Sequence, residues 1–260
     1  RVYSRALSAQ EIADQYRQGA RKFNVDLQKG LVGHWELSEE SYNPATKRLT
    51  DNSAYENHGT SGNAGSFATD RMGQSDEAMS FNGTNDYVDC GNDASLSQTS
   101  IISMFGWVNG GGNQVAKTFI GQWDIGINQR SFSIRTQSDK LEVLLSDDGA
   151  YNSEHKKLYR SSIVVFDDLW HYVGFTFNAG TLKLYVDGVE DTNPTKIYDD
   201  AITTLHDSTA DLNIGCALNN NVPTNYFNGS MSDVRIYNRA LSEGEVGRLY
   251  ESYGSKFMRN

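Results

Sequence analysis

The chain has 260 residues, 38% of them hydrophobic, with 33 acidic against 23 basic side chains and a formal net charge of −10. That length admits two average domains or one large all-β domain, and the negative charge repels a nucleic-acid backbone, so no nucleic-acid partner is expected. No apolar run in the sequence is long enough to cross a bilayer, and Cys90 and Cys216 are too few for a disulfide scaffold.

Arg1 to Ile12 reads RVYSRALSAQEI, and Arg235 to Val246 reads RIYNRALSEGEV. Self-similarity of this kind marks an array. Residues 1–25 are therefore expected to be the tail of a preceding repeat or a linker helix, and residues 26–260 a single domain with neighbouring repeats in the same chain. Ser8 and Ser242 are each followed three residues later by Glu, the capping-box pattern that opens a helix. Between these short terminal helices the pattern is that of strands. Ile101 to Val108 is apolar on both faces and predicts a central strand. Ser131 to Arg135 and Leu141 to Leu145 alternate around Gln137 to Lys140. Val173, Phe175 and Phe177 share one face, as do Leu182, Leu184 and Val186 beyond the Asn178-Ala179-Gly180 turn. Asp187-Gly188 supplies a further tight turn. Ten or more short strands with little helix predict an all-β antiparallel sandwich. Phe81 and Phe227 are expected to fill the space between its sheets and Trp170 to begin a core strand. Arg239 is expected to pair with an acidic residue under the closing helix. The cysteines are either one long-range bridge or two buried thiols.

Six ordered segments then resemble a family: Gly30 to Leu37, Asp51 to Thr60, Ala78 to Asp89, Trp170 to Val173, Leu184 to Gly188, and Phe227 to Ser242. They are similar to the signatures of the laminin-G-like, concanavalin A-type jelly roll. The resemblance implies a jelly roll and leaves the function open, because one sandwich serves lectins, adhesins, phage tail proteins and appendages of polysaccharide-degrading enzymes. It also implies a Ca²⁺ held between the Asp51–His58 loop and the final strand. Calcium takes six to eight oxygens, with Asp51 and Asp233 supplying charge and Asn57 helping to complete the shell. The alternative is that Asp51 caps a turn and Asp233 pairs with Arg235 or Arg239.

Glycosidic cleavage needs two carboxylates across the scissile bond. Glu36-Leu37-Ser38-Glu39-Glu40 is a near miss to the acidic strand motif of laminarinase-type hydrolases, with Ser where an Asp is required. Gln122, Arg135, His171 and Tyr185 supply the residue types of an alginate-lyase site, but no spacing selects them. A noncatalytic protein is therefore expected. Sugar recognition combines flat aromatics with amides and charged groups. Three loops carry that mixture, and the candidate ligand-binding residues are Trp123, Asn128, Arg130, Tyr151, Asn221 and Tyr226. The expectation is a carbohydrate-binding module of a secreted or surface-displayed multidomain protein, with glycan as partner. The alternatives are an adhesive spacer binding protein, which would bury these aromatics, and a sandwich-type polysaccharide-degrading enzyme.

Overall fold

The computed structural model describes residues 6–8, 27–63, 66–112, 114–150 and 154–252. Two sheets face one another. In the eight-stranded sheet the order is Val189–Asp191, Thr181–Val186, Trp170–Asn178, Ile101–Asn109, Asn228–Tyr237, Ala78–Asn82 and Ser66–Ala68, with Leu31–Trp35 also on Asn228–Tyr237. In the twelve-stranded sheet Thr195–Asp199, Lys156–Val164, Lys140–Ser146, Gln129–Ser138 and Gln114–Asp124 lead to Leu212–Ile214 and four short strands beyond. A hairpin, Ala217–Asn219 with Val222–Thr224, attaches to Gln114–Asp124.

The alternation read in the sequence sets the faces. Val173, Phe175, Phe177, Leu182, Leu184 and Val186 all enter the core between the sheets, as do Phe81 and Phe227. The Ala179-Gly180 and Asp187-Gly188 turns each have two positive φ angles, 43° and 102°, then 51° and 81°. Those angles match the right-handed twist of the flanking strands. Ile101–Asn109 is indeed central, between Trp170–Asn178 and Asn228–Tyr237. Its outer face is apolar because Phe105 and Trp107 lie in a second cluster with Tyr172, Tyr185, Tyr237 and Val246 and Leu249 of the helix Glu243–Ser252. Trp170 is half-buried against this second cluster rather than in the main core, since it has the parity of Tyr172 and not of Val173.

The closing helix begins as the capping box requires: Ser242 Oγ accepts from the Glu245 N–H at 3.3 Å, and the Ser242 N–H donates to Glu245 Oε2 at 2.9 Å. Arg239 forks onto the same carboxylate, at 2.9 Å to each oxygen, and donates to the Lys29 carbonyl at 2.7 Å. Burial alone would raise the Glu245 pKa, but Arg239 and the Ser242 donors outweigh it and hold the carboxyl at about 2. The expected tail or linker helix of residues 1–25 lies outside the described residues apart from Ala6, Leu7 and Ser8. Cys90 and Cys216 are free buried thiols, Cys90 within the main core, and burial pushes both thiols up.

Candidate glycan-binding rim

The three candidate loops meet at one end of the sandwich, and two buried charges bring them together. Asp124 ends its strand fully buried and accepts the backbone N–H groups of Gly126 at 2.8 Å, Asn220 at 2.9 Å and Asn221 at 2.6 Å. The turn at residues 125–128 is thereby fixed to the hairpin tip. Arg130, 7% exposed, donates to Asn128 Oδ1 at 2.8 Å, to the Gly149 carbonyl at 3.1 Å and to the Ile125 carbonyl. That joins the same turn to the Asp147–Ala150 loop. Gly149, at φ 77°, is needed because a Cβ there would collide with the Asn128 carbonyl and the His206 ring. Asn128, Asn220 and Asn221 hold φ values of 56°, 52° and 62°, the left-handed region that Asn tolerates among non-glycine residues.

The candidate residues divide between scaffold and surface. Asn128 and Asn221 are exposed on the rim beside Asn219 and Asn220, with Ile125, Ile127 and Val222 as apolar neighbours. Tyr226 is half-buried; its hydroxyl donates to the Pro223 carbonyl at 2.9 Å and its ring lies 6.4 Å from that of Tyr87. Tyr151 lies outside the described residues. Trp123 does not present an open stacking face. It is 6% exposed and packs with Leu144, Leu158 and Ala217, because the hairpin beginning at Ala217 folds down beside it. Arg130 is a stitch, with its described donors turned to protein oxygens. Asp124, which organises the rim, was legible only as an Asp two residues before a Gly, the spacing of an Asx turn.

Asp51 and Asn57 are hydrogen-bonded to one another, and His34 links Asp51 to Asp233 through its backbone N–H and its ring. Asp51 Oδ1 accepts the N–H groups of His34 at 2.7 Å and Ser53 at 2.9 Å, and its Oδ2 accepts the Ser53 hydroxyl at 2.6 Å and the Asn57 N–H at 2.8 Å. Four donors fill the four acceptor sites of a carboxylate. Asn57 spends its amide N–H groups on Val32 O and Ser95 Oγ. Asp233 Oδ1 is held by His34 Nε2 at 2.7 Å and by Arg235 Nε and a terminal nitrogen, each at 2.9 Å. Burial works against ionisation of Asp233, but the Arg235 guanidinium and His34 hold its carboxyl well below the usual range. A calcium ion at Asp51 would have to displace these donors, and the buried Asp233 Oδ2, without a hydrogen-bond partner among the described residues, lies beside the Arg235 guanidinium, so the described donor set disfavours the expected Ca²⁺. Among the described residues no group of three or more His, Cys, Asp and Glu side chains is arranged to hold a metal ion.

The catalytic near misses are separated by the fold. Glu36 follows the strand Leu31–Trp35, whereas Glu39–Ser41 is a 3-10 turn, so Glu36, Glu39 and Glu40 do not line one strand face. Gln122 and Arg135 belong to the twelve-stranded sheet, but His171 and Tyr185 belong to the other. His171 instead ties two turns, with Nδ1 2.8 Å from Asp187 and Nε2 3.2 Å from Asp167, and these carboxylates raise its pKa against the opposing effect of burial.

A jelly-roll sandwich with loops gathered at one end defines the class of a lectin-like β domain. Residues 82–247 match the model of the concanavalin A-like lectin/glucanases superfamily, and the chain belongs to that family. No curated protein matches the chain. Among solved structures it is similar to the binding domain of Paraclostridial Mosquitocidal Protein 1, with a TM-score of 0.65 and 15% identity over 87% of this chain and 53% of that one. The botulinum neurotoxin serotype D ligand binding domain in complex with N-acetylneuraminic acid gives a TM-score of 0.60 and 15% identity over 88% and 52%. Domain 4 of AbnA, an extracellular arabinanase of Geobacillus stearothermophilus, in complex with arabinotriose, gives 0.55 and 18% over 85% and 98%. The chain spans about half the length of these toxin domains and nearly all of the arabinanase domain.

Proposed function

We propose that this chain is a noncatalytic carbohydrate-binding module of a secreted or surface-displayed protein, with its ligand at the rim formed by residues 124–130, 147–150 and 219–226. The observation that carries the reading is the convergence of those loops through Asp124 and Arg130, which leaves exposed amides at Asn128 and Asn221 beside Ile125, Ile127 and Val222. Amides satisfy sugar hydroxyls, and small apolar groups cover the C–H faces of a sugar ring. Support also comes from solved relatives in complex with arabinotriose and with N-acetylneuraminic acid. The test is titration calorimetry against a panel of plant and animal oligosaccharides with wild type, Asn128→Gly and Asn221→Gly, which remove the amide yet keep a positive φ accessible. Millimolar to micromolar binding weakened at least fivefold in both variants is expected. Sugar release, or binding unchanged in both, would overturn the reading. The burial of Trp123 favours a second reading, an adhesive spacer, in which no oligosaccharide binds.

A further inference from the structure

Beside the rim runs a groove of about 430 Å³ whose walls are the loop 92–99 and the segment 207–209. Its lining is made of hydroxyls and an amide, from Asn92, Ser97, Thr99, Ser208 and Thr209, with Asp207 as the one ionisable group among the lining residues. Lys and Arg are absent from that lining. The walls are pinned together: Asn92 Nδ2 donates to the Thr209 carbonyl at 2.7 Å, and Leu96, Leu205 and Ala210 are buried anchors behind them. Pinning matters because a preformed polar groove loses little entropy when it is filled. Gln129 joins the groove to the rim. Its Oε1 accepts the Thr209 N–H at 2.8 Å and its carbonyl accepts the Ser208 hydroxyl at 3.0 Å, one residue beyond Asn128.

We infer that this groove is the extension of the rim's glycan site and that it takes uncharged saccharide units. The hydroxyls of Ser97, Thr99 and Thr209 in this lining can each donate and accept, which suits the vicinal hydroxyls of a sugar. The surrounding charge is negative. Asp207 lies in the wall and Asp93 beside it, the pKa of the latter lowered by hydrogen bonds from the Ser95 amide and hydroxyl; Asp147 and Asp148 follow on the adjoining loop. His155 faces Asp147 at 3.0 Å, and Arg130 is turned inward onto protein oxygens. A sialate, uronate or sulfate therefore meets carboxylates and finds no guanidinium to fork onto among the residues lining the groove, and electrostatic complementarity is what sets such discrimination.

The inference rests on the rim reading, and one experiment separates them. Calorimetry at low salt compares neutral oligosaccharides from arabinan, xylan, β-glucan and galactan with sialyllactose, oligogalacturonate and a heparin fragment. Neutral chains are expected to bind, and the anionic ones at least fivefold more weakly, the gap closing as salt rises. Ala94→Leu, which fills the groove from an exposed position, should weaken neutral binding at least tenfold without lowering the melting point. Asp207→Asn should narrow the gap between neutral and anionic chains. Binding unchanged in Ala94→Leu but lost in Asn221→Gly would overturn the groove and leave the rim. Anionic chains bound as tightly as neutral ones would overturn the ligand class, and no binding of any chain by wild type would sink the rim reading and the groove with it.

Discussion

Replacing Asp124 by Asn tests the stitch that holds the rim. The carboxylate is fully buried and accepts three backbone N–H groups, from Gly126, Asn220 and Asn221. Hydrogen bonds to a charged group contribute about 1.5–3 kcal/mol each. Asparagine has nearly the same shape and keeps one carbonyl oxygen, facing Gly126 and Asn220. Its amide nitrogen would then face the Asn221 N–H, donor against donor. The substitution therefore loses one charge-assisted bond and weakens the other two, a cost of about 2–3 kcal/mol. For a chain of this size each kcal/mol shifts the melting point by roughly 2–4 °C, so Asp124→Asn should melt about 4–12 °C lower. Differential scanning calorimetry measures the shift, with Glu251→Gln, exposed on the closing helix, as a surface control expected within about 0.5 kcal/mol. Glycan affinity should fall in parallel, because the hairpin tip that presents Asn221 is no longer tied to the turn that presents Asn128. A melting point within 1 °C of wild type would refute the role assigned to Asp124.

Trp123→Ala removes a ring buried against Leu144, Leu158 and Ala217 and should cost about 3–5 kcal/mol, read as a lower urea midpoint; a loss of glycan binding at full stability would instead make the ring a ligand contact. Melting in saturating calcium and in chelator should give the same midpoint, since the acceptor sites of Asp51 are filled and Arg235 sits on Asp233. A native-state calcium site at a hundredfold excess over Kd would add about 2.7 kcal/mol, and such a rise would refute the hydrogen-bonded knot. On acidification, Glu245 contributes stability that is complete above its ordinary pKa of 4.5 and lost as pH falls towards its folded value of about 2. Urea midpoints from pH 5 to 2 should therefore decline less steeply in Glu245→Gln than in wild type, and identical slopes would contradict the assignment.

What the sequence made legible was local. Period-two alternation placed Phe175 and Leu184 in the core, Asp187-Gly188 predicted its turn, the Ser242–Glu245 spacing predicted the helix start, and the position of Arg239 ahead of that helix predicted an acidic partner under it. Each of these is decided by neighbours within a few residues. What the sequence leaves hidden is what covers a face. Trp123 reads in the sequence as a loop aromatic beside amides, and only the long-range descent of the hairpin beginning at Ala217 buries it. The carboxylates of Asp51 and Asp233 looked like cation ligands because their donors come partly from elsewhere in the chain. His34 reaches both, through its backbone N–H to Asp51 and its ring to Asp233. The bulge that turns Asp233 to positive φ, 52°, breaks the strand alternation that would otherwise have fixed its side. The groove walls are far apart in sequence, joined by contacts such as Asn92 to Thr209, and nothing local announces them.

Part of the outer face of each sheet is committed to structure, and that directs the search for ligand chemistry to the loop end. On the eight-stranded sheet the helix Glu243–Ser252 seals Phe105, Trp107 and Tyr172. On the twelve-stranded sheet Glu142, 1% exposed, is clamped by Arg135 at 2.9 Å and Arg160 at 2.7 Å, and the hairpin occupies the ground beside Trp123. A buried carboxylate shared by two guanidiniums spends their forks on one another's partner and leaves a poor site for an incoming anion. The loop end differs in kind, because its buried charges, Asp124 held by backbone N–H groups and Arg130 by two carbonyls and the Asn128 side-chain oxygen, serve to hold exposed amides still. A site built from fixed amides and hydroxyls, without an open aromatic platform among the described residues, gains its affinity from hydrogen bonds that exchange with water at a modest net return of about 0.5–1.5 kcal/mol each. A few such bonds would place a single module near the millimolar-to-micromolar range.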